Sequence, residues 1–361
     1  MKLRLLRKFV RPCSLFVLIL LVPLFGGVLP RSIILIVADG AGIGHHTLSY
    51  YHNDRYSPAA FQHVGLMATH PIDRLKVTDS AASATAMATG VKTYKGAIGV
   101  DHDKQPRKTV LEYAQEQGMA TGLVATSSIT HATPAAFAAH VESRRDQDDI
   151  ARQLAKADIT VLLGAGSEYF LPKELGGVQD VNLLEAMASR GVQVVDDLDE
   201  AVDNDRPVIG LFAERSLPRA PEGRQPTTAA MARKALEILD ADPDGFFLFV
   251  EESQVDWGGH GNDPDYVQAE MASLNDLIDT VLAYQEANPE VLVVLVADHE
   301  TGGLVMQPKV VGSGHKAEWS TKGHTASLVP IFAIGPGGEA FDAVIDNTFI
   351  GLTLIEYITS R

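Results

Sequence analysis

The feature that most constrains this chain is a set of short, unbroken apolar runs that stop abruptly at acid or imidazole. Ser32–Ala38 reads Ser-Ile-Ile-Leu-Ile-Val-Ala and ends at Asp39 and Gly40. A β-branched run without polar alternation is the pattern of a strand covered on both faces. Runs of the same character cover 122–125, 159–163, 246–250, 291–297 and 331–334, and helix-like stretches cover 109–117, 148–156, 227–240 and 265–288. Strands alternating with helices predict an α/β fold, a three-layer sandwich with a large, mostly parallel central sheet flanked by helices. Asp39 closes the first run, Glu251 the fourth, and Asp298 with His299 the fifth. Ligands of open α/β sheets bind at the carboxyl ends of strands, so these side chains are expected on one edge.

A chain of 361 residues with 46% hydrophobic residues can bury a large core, and 31–361 reads as a single domain with a less regular insert around 164–224. Residues 1–30 differ: Lys2, Arg4, Arg7, Lys8 and Arg11 precede an uncharged apolar run from Ser14 to Leu29, the shape of an export signal or N-terminal anchor. The run is shorter than the roughly 20 residues of a spanning helix, so cleavage and a periplasmic or extracellular location are expected, with membrane contact only if the segment stays uncleaved. The single cysteine, Cys13, lies in that segment and ahead of its apolar run, which leaves the rest of the chain without disulfides or a lipid anchor. Removing the five basic residues of the signal from a net charge of −16 leaves about −21. No basic stripe interrupts that charge, which argues against nucleic acid as a partner. Any phosphate chemistry would then need concentrated local positive charge, and metal ions are the obvious source.

Four segments carry candidate chemistry. Asp39-Gly-Ala-Gly-Ile-Gly follows the first strand, with the wrong spacing and order for a dinucleotide fingerprint. Asp79-Ser80 opens a run of small residues, which predicts a helix beginning near Ser80; a serine there is either an ordinary cap or a nucleophile beside anion-binding N–H groups. Glu251-Glu-Ser-Gln-Val-Asp256-Trp-Gly-Gly-His260 places Asp256 and His260 four apart, so one helical turn would bring both to one metal. Asp298-His299-Glu300 and the later His324 add to a nitrogen and oxygen donor set without thiolates, the kind Zn²⁺ prefers.

The strings VADGAG, TDSAASATAMATG, THATPAAFAAHVESR, FVEESQVDWGGHG, ADHETGG and KGHTA, in this order between about residues 32 and 335, resemble the successive signatures of the alkaline phosphatase family. That resemblance implies hydrolysis of small-molecule phosphate monoesters through a phosphoserine intermediate on Ser80. It implies one Zn²⁺ held by Asp39, Asp298 and His299 beside Ser80, and a second held by Asp256, His260 and His324. It also implies Arg144 as the phosphate-binding residue, Mg²⁺ held by Asp39, Thr133 and Glu251, and a homodimer.

Two positions depart from the best-known bacterial pattern and are similar to another bacterial branch. His131 stands where an aspartate is usual near the Mg²⁺ site, and Trp257 where a lysine is usual. The first puts the identity of the third ion in question, and the second removes a cation that would attract phosphate, which implies weaker product binding. Two other readings stay open. A superfamily phosphodiesterase would reuse the metal scaffold, although such enzymes usually carry Thr as nucleophile. A non-catalytic periplasmic zinc-binding protein would use the same His/Asp set and leave Ser80 and Arg144 without purpose.

Overall fold

The computed structural model describes residues 29–201, 205–309 and 313–361; the export-signal reading of residues 1–30 lies outside them but for Leu29 and Pro30. Among the described residues ten strands join in one sheet. They are β1 (Ser32–Ala38), β2 (His63–Ala68), β3 (Ala120–Ser128), β4 (Val161–Ala165), β5 (Gln193–Val195), β6 (Val208–Leu211), β7 (Phe246–Glu252), β8 (Val291–Val296), β9 (Val329–Ile334) and β10 (Val344–Asp346). Their order is β10-β2-β9-β8-β1-β7-β3-β4-β6-β5. β9 runs antiparallel to both neighbours, and the other described pairings are parallel.

Every residue of β1, β7 and β8 is buried, as their unbroken apolar sequences predict. Among the described residues ten α-helices accompany the sheet: α1 (Ile43–His52), α2 (Ser80–Thr89), α3 (Val110–Glu116), α4 (Ala132–Ala135), α5 (Gln147–Leu154), α6 (Leu183–Ser189), α7 (Thr228–Leu239), α8 (Gln254–Gly261), α9 (Pro264–Ala287) and α10 (Asn347–Thr359). α2, α3, α4 and α10 pack on one another, while α1, α7 and α8 pack around α9, giving the expected three layers. α9 starts where the Asp263 carboxylate accepts the Tyr266 N–H at 3.0 Å and Pro264 occupies the first turn. Val267, Met271, Leu274, Ile278 and Val281 then bury one face at helical spacing.

Residues 164–224 are less an insert than the sheet's far edge, since they contain β5 and β6. Their strands are three and four residues long, too short for a period to show in sequence. This stretch returns to the core through Arg224. Its guanidinium donates to Glu252 on β7 and to both oxygens of Glu270 on α9, all three side chains being buried. Removing one partner of a buried ion pair leaves uncompensated charge. Arg224→Met is therefore expected to cost about 3–5 kcal/mol, read as a lower urea midpoint with unchanged m-value. A midpoint equal to wild type would show that the two glutamates already share a proton.

Candidate active site

The site forms because three adjacent strands end in register. Val37 of β1 pairs with Glu251 of β7 and Val296 of β8, so Asp39, Glu251 and Asp298 emerge side by side. Gly40 permits the crossing behind them. It has φ +78°, and a Cβ there would lie 2.7 Å from the Asp256 Cα.

Ser80 is the first residue of α2, and the cap is Asp79. Asp79 Oδ1 accepts the N–H groups of Ala82 and Gly96 at 3.1 and 3.2 Å. Its Oδ2 accepts Arg144 Nη1 at 3.3 Å. Capping thus falls to the aspartate, and the buried Ser80 hydroxyl is left to face His299 Nε2 at 3.2 Å. Alanines and small hydroxyl residues let α2 lie close against α10, and the Ser83 hydroxyl donates to the Asp298 carbonyl at 2.6 Å, fixing α2 to the end of β8.

Three clusters of ligand-type atoms surround this point, in each of which the atoms lie within 4.8 Å of one another. Asp39, Asp256 and His299 form the first, with Asp298 Oδ2 3.2 Å from His299 Nε2. Asp256, His260 and His324 form the second. There His260 Nδ1 meets the Lys322 carbonyl at 2.5 Å and His324 Nδ1 the Thr78 carbonyl at 3.0 Å. These contacts turn both Nε2 atoms, 3.2 Å apart, toward Asp256. Asp39, His131 and Glu251 form the third, and there the Ser127 and Ser253 hydroxyls hold one Glu251 oxygen.

Among the described residues, both oxygens of Asp39, Asp298 Oδ2 and His131 Nδ1 are buried without a hydrogen-bond partner. Such groups are costly unless something else satisfies them. Burial, followed by the charges of Asp298, Asp256 and Glu251, drives the Asp39 carboxyl far above its usual range. Burial pushes Glu251 up to about 7 against the hydrogen bonds from Ser253, Thr133 and Ser127. Burial lowers His131 and His324 to about 4 each, which keeps both rings neutral. The hydrogen bond to Asp256 raises His260 to about 9. Divalent cations fit this donor set, with imidazole and carboxylate at the first two clusters and a richer oxygen set at the third.

Arg144 stands at the rim, with Nη2 3.1 Å from His131 Nε2 and its backbone N–H donating to the Gly96 carbonyl at 2.7 Å. Trp257 meets the His131 ring edge-on, with centroids 6.4 Å apart. Every sequence-predicted site residue is thus drawn into one locality. Sequence reasoning missed Asp79, legible as a cap before the helix, and Thr301, whose hydroxyl donates to Asp256 and lies 3.2 Å from His299 Nδ1.

His140 was missed as well. It faces acceptors on both sides, the Gly99 carbonyl at 2.7 Å and Glu112 Oε1 at 2.9 Å. A neutral imidazole has one N–H, so this geometry suits the imidazolium. Burial opposes that charge, but Glu112 and the Gly99 carbonyl outweigh it and the pKa is raised above 6.5. A histidine raised on folding stabilises fully below its unfolded pKa and ceases to do so as pH climbs through the folded value. The melting temperature of wild type minus His140→Gln is expected to be greatest below pH 6.5 and to shrink at higher pH; a difference independent of pH would show that the contact works uncharged.

Divalent cations suit these carboxylates, and the Ser80 hydroxyl lies beside them at a helix N-terminus. The class this defines is the metal-dependent α/β hydrolases. The profile of the family described as Alkaline phosphatase matches residues 31–316. Alkaline phosphatase 3 of Bacillus subtilis is 34% identical, over 89% of this chain and 87% of its own length. The alkaline phosphatase of the Antarctic bacterium TAB5 superposes with a TM-score of 0.86 at 34% identity, covering 91% of this chain and 98% of that one. A histidine-to-aspartate variant of the TAB5 enzyme, described with magnesium bound in its M3 site, superposes at 0.84 with 33% identity over the same shares. The chain belongs to the alkaline phosphatase family, metal-dependent hydrolases of phosphoric monoesters.

Proposed function

We propose that the chain hydrolyses phosphate monoesters in two displacements through a phosphoserine on Ser80. The observation that carries this reading is the Ser80 hydroxyl, spared from capping by Asp79 and set among partnerless carboxylates. In the first step Ser80 Oγ releases its proton to solvent and attacks phosphorus, the serine O–P bond forms, the ester P–O bond breaks, and the alcohol leaves with a proton from solvent. In the second, water attacks the same phosphorus, the serine O–P bond breaks, and inorganic phosphate departs. Arg144, steadied by Asp79, offers its planar fork to two phosphoryl oxygens. The first-turn N–H groups of α2 add positive potential at the same place.

Two Zn²⁺ ions would be held by Asp39, Asp298 and His299 and by Asp256, His260 and His324, and a third ion, Mg²⁺ or another divalent cation, by Asp39, Thr133 and Glu251. When bound, such ions polarise the phosphoryl group, favour the ionised serine and water, and stabilise the leaving oxygen. Rapid acid quenching during turnover of ³²P-labelled substrate tests the reading: label is expected on the peptide containing Ser80, and its absence at every time and pH would leave direct attack by water.

At the third cluster, Arg144 donates to His131 Nε2, so neutral His131 carries its proton on Nδ1, which finds no acceptor among the described residues. An added carboxylate there supplies the hard oxygen that Mg²⁺ prefers. His131→Asp is expected to raise Mg²⁺ retention after gel filtration, measured by elemental analysis, by about tenfold; retention unchanged from wild type would place His131 outside that ion's surroundings. The magnesium described in the TAB5 variant supports this expectation.

Residues 1–30 would direct export to the periplasm or beyond the cell. Among the described residues no helix is long and apolar enough to cross a membrane. The resemblance supports a homodimer and broad monoester specificity, with phosphate release eased by Trp257.

A further inference from the structure

A cleft of about 680 Å³ opens on the far side of Trp257, between α8 and the chain returning from β6. Its walls are Phe212, Leu217, Arg219, Gln254, Trp257 and Tyr266. We propose that this cleft receives the leaving group of the ester and favours planar aromatic alcohols, aryl or nucleoside, over aliphatic ones. The proposal rests on the assignment of the phosphoryl group to Ser80 and Arg144.

Trp257 is the wall shared by cleft and site. Its ring lies edge-on to His131, and His131 is 3.1 Å from Arg144. An ester gripped by Arg144 therefore has an aromatic surface one side chain away. Tyr266 adds a second ring to the lining, and Arg219 lies over it with its guanidinium carbon 4.6 Å from the centroid. Phe212 owes its place to Gly210, where a Cβ would come 2.4 Å from the phenyl ring.

The walls are fixed in advance. The Tyr266 hydroxyl donates to Gln254 Oε1 at 2.7 Å, and Gln254 Nε2 donates to the Leu217 carbonyl at 2.9 Å. The Leu217 N–H donates to the Thr126 carbonyl at 3.0 Å. The Ala220 N–H donates to Glu270 at 2.8 Å, the same carboxylate that Arg224 holds. One function of the buried Arg224 network is thus to keep this wall at a set distance from α8. A pre-organised slot with three rings and a stacked cation suits a flat π system, while a flexible polyol would gain little from it.

The test compares kcat/KM for adenosine 5′-monophosphate and for phenyl phosphate with that for glycerol 2-phosphate, in wild type, Phe212→Ala, Phe212→Tyr and Arg219→Ala. Ratios are independent of the fraction of enzyme that folds or loads metal. The aromatic-to-aliphatic ratio is expected to fall about tenfold in Phe212→Ala and Arg219→Ala and to recover in Phe212→Tyr. A fall for adenosine monophosphate alone assigns the cleft to nucleosides, and a fall for both esters to aromatic alcohols in general. A ratio within twofold of wild type in both alanine variants overturns the proposal. A second readout is direct, because the chain has 2 tryptophans and Trp319→Phe leaves Trp257 as the sole reporter. Adenosine is expected to change its fluorescence saturably, and no change up to the solubility limit counts against the cleft. Turnover near the wild-type level in Ser80→Ala would remove the site assignment itself, whereas an unchanged ratio with Ser80-dependent turnover removes only the cleft.

Discussion

Ser80→Ala is expected to lower kcat/KM for p-nitrophenyl phosphate by about 10³-fold or more while leaving the melting temperature within a degree or two of wild type. The two readouts separate because the hydroxyl has little structural work. Asp79 caps α2, so the helix still begins at residue 80, and alanine suits a helix as well as serine does. The hydroxyl's contact with His299 is lost, and the cations beside it are retained. Residual activity is then what the metals and Arg144 achieve with water as the nucleophile. Activity near the wild-type level would show that water attacks directly in the native enzyme. A large drop in melting temperature would show that the serine is structural.

Stripping the three divalent ions with a chelator at pH 8 is expected to abolish turnover and to lower the melting temperature by roughly 20 °C. Each site saturated at about a thousand times its Kd contributes on the order of 4 kcal/mol, and one kcal/mol corresponds to about 2 °C in a chain of this size. The stripped protein should also have its own pH dependence. Glu251, raised on burial to about 7, binds a proton in the folded state that the unfolded chain releases near 4.5. Folded protein therefore holds more protons between those values, and stability falls as pH rises through that window. The gap between loaded and stripped melting temperatures should widen from pH 5 to pH 8. A gap that is constant, or that narrows, would mean that the carboxylates find partners other than cations.

Much of this molecule could be read before it was seen. The unbroken runs at 32–38, 246–250 and 291–297 announced strands covered on both faces, and those became the three central strands. β2, β5, β6 and β10 went unread for one shared reason. They are edge or near-edge strands, three to six residues long, with mixed exposure, so neither alternation nor an apolar run is long enough to stand out. Residues 164–224 looked like a covering insert because their polarity is that of a sheet's rim.

The site divides in a similar way. Side chains able to ligate a metal or act as a nucleophile are chemically distinctive and sit in recognisable strings, so Asp39, Ser80, Asp256, His260, Asp298, His299 and His324 could be picked out in one dimension as candidates. Their supports were not. Asp79 bridges Ser80's helix to Arg144, Thr301 joins Asp256 to His299, and backbone carbonyls of Thr78 and Lys322 aim two imidazoles, each across a distance that no sequence spacing encodes. By itself the sequence determined the fold class and the atoms available for chemistry, because burial pattern and side-chain identity are local properties of the chain. The tertiary structure alone decided which carboxylates would be left without partners and which aromatic wall would stand beside Trp257. Those outcomes depend on residues far apart in the chain meeting at the end of one sheet, where Coulomb repulsion and packing are set by distances of a few ångströms.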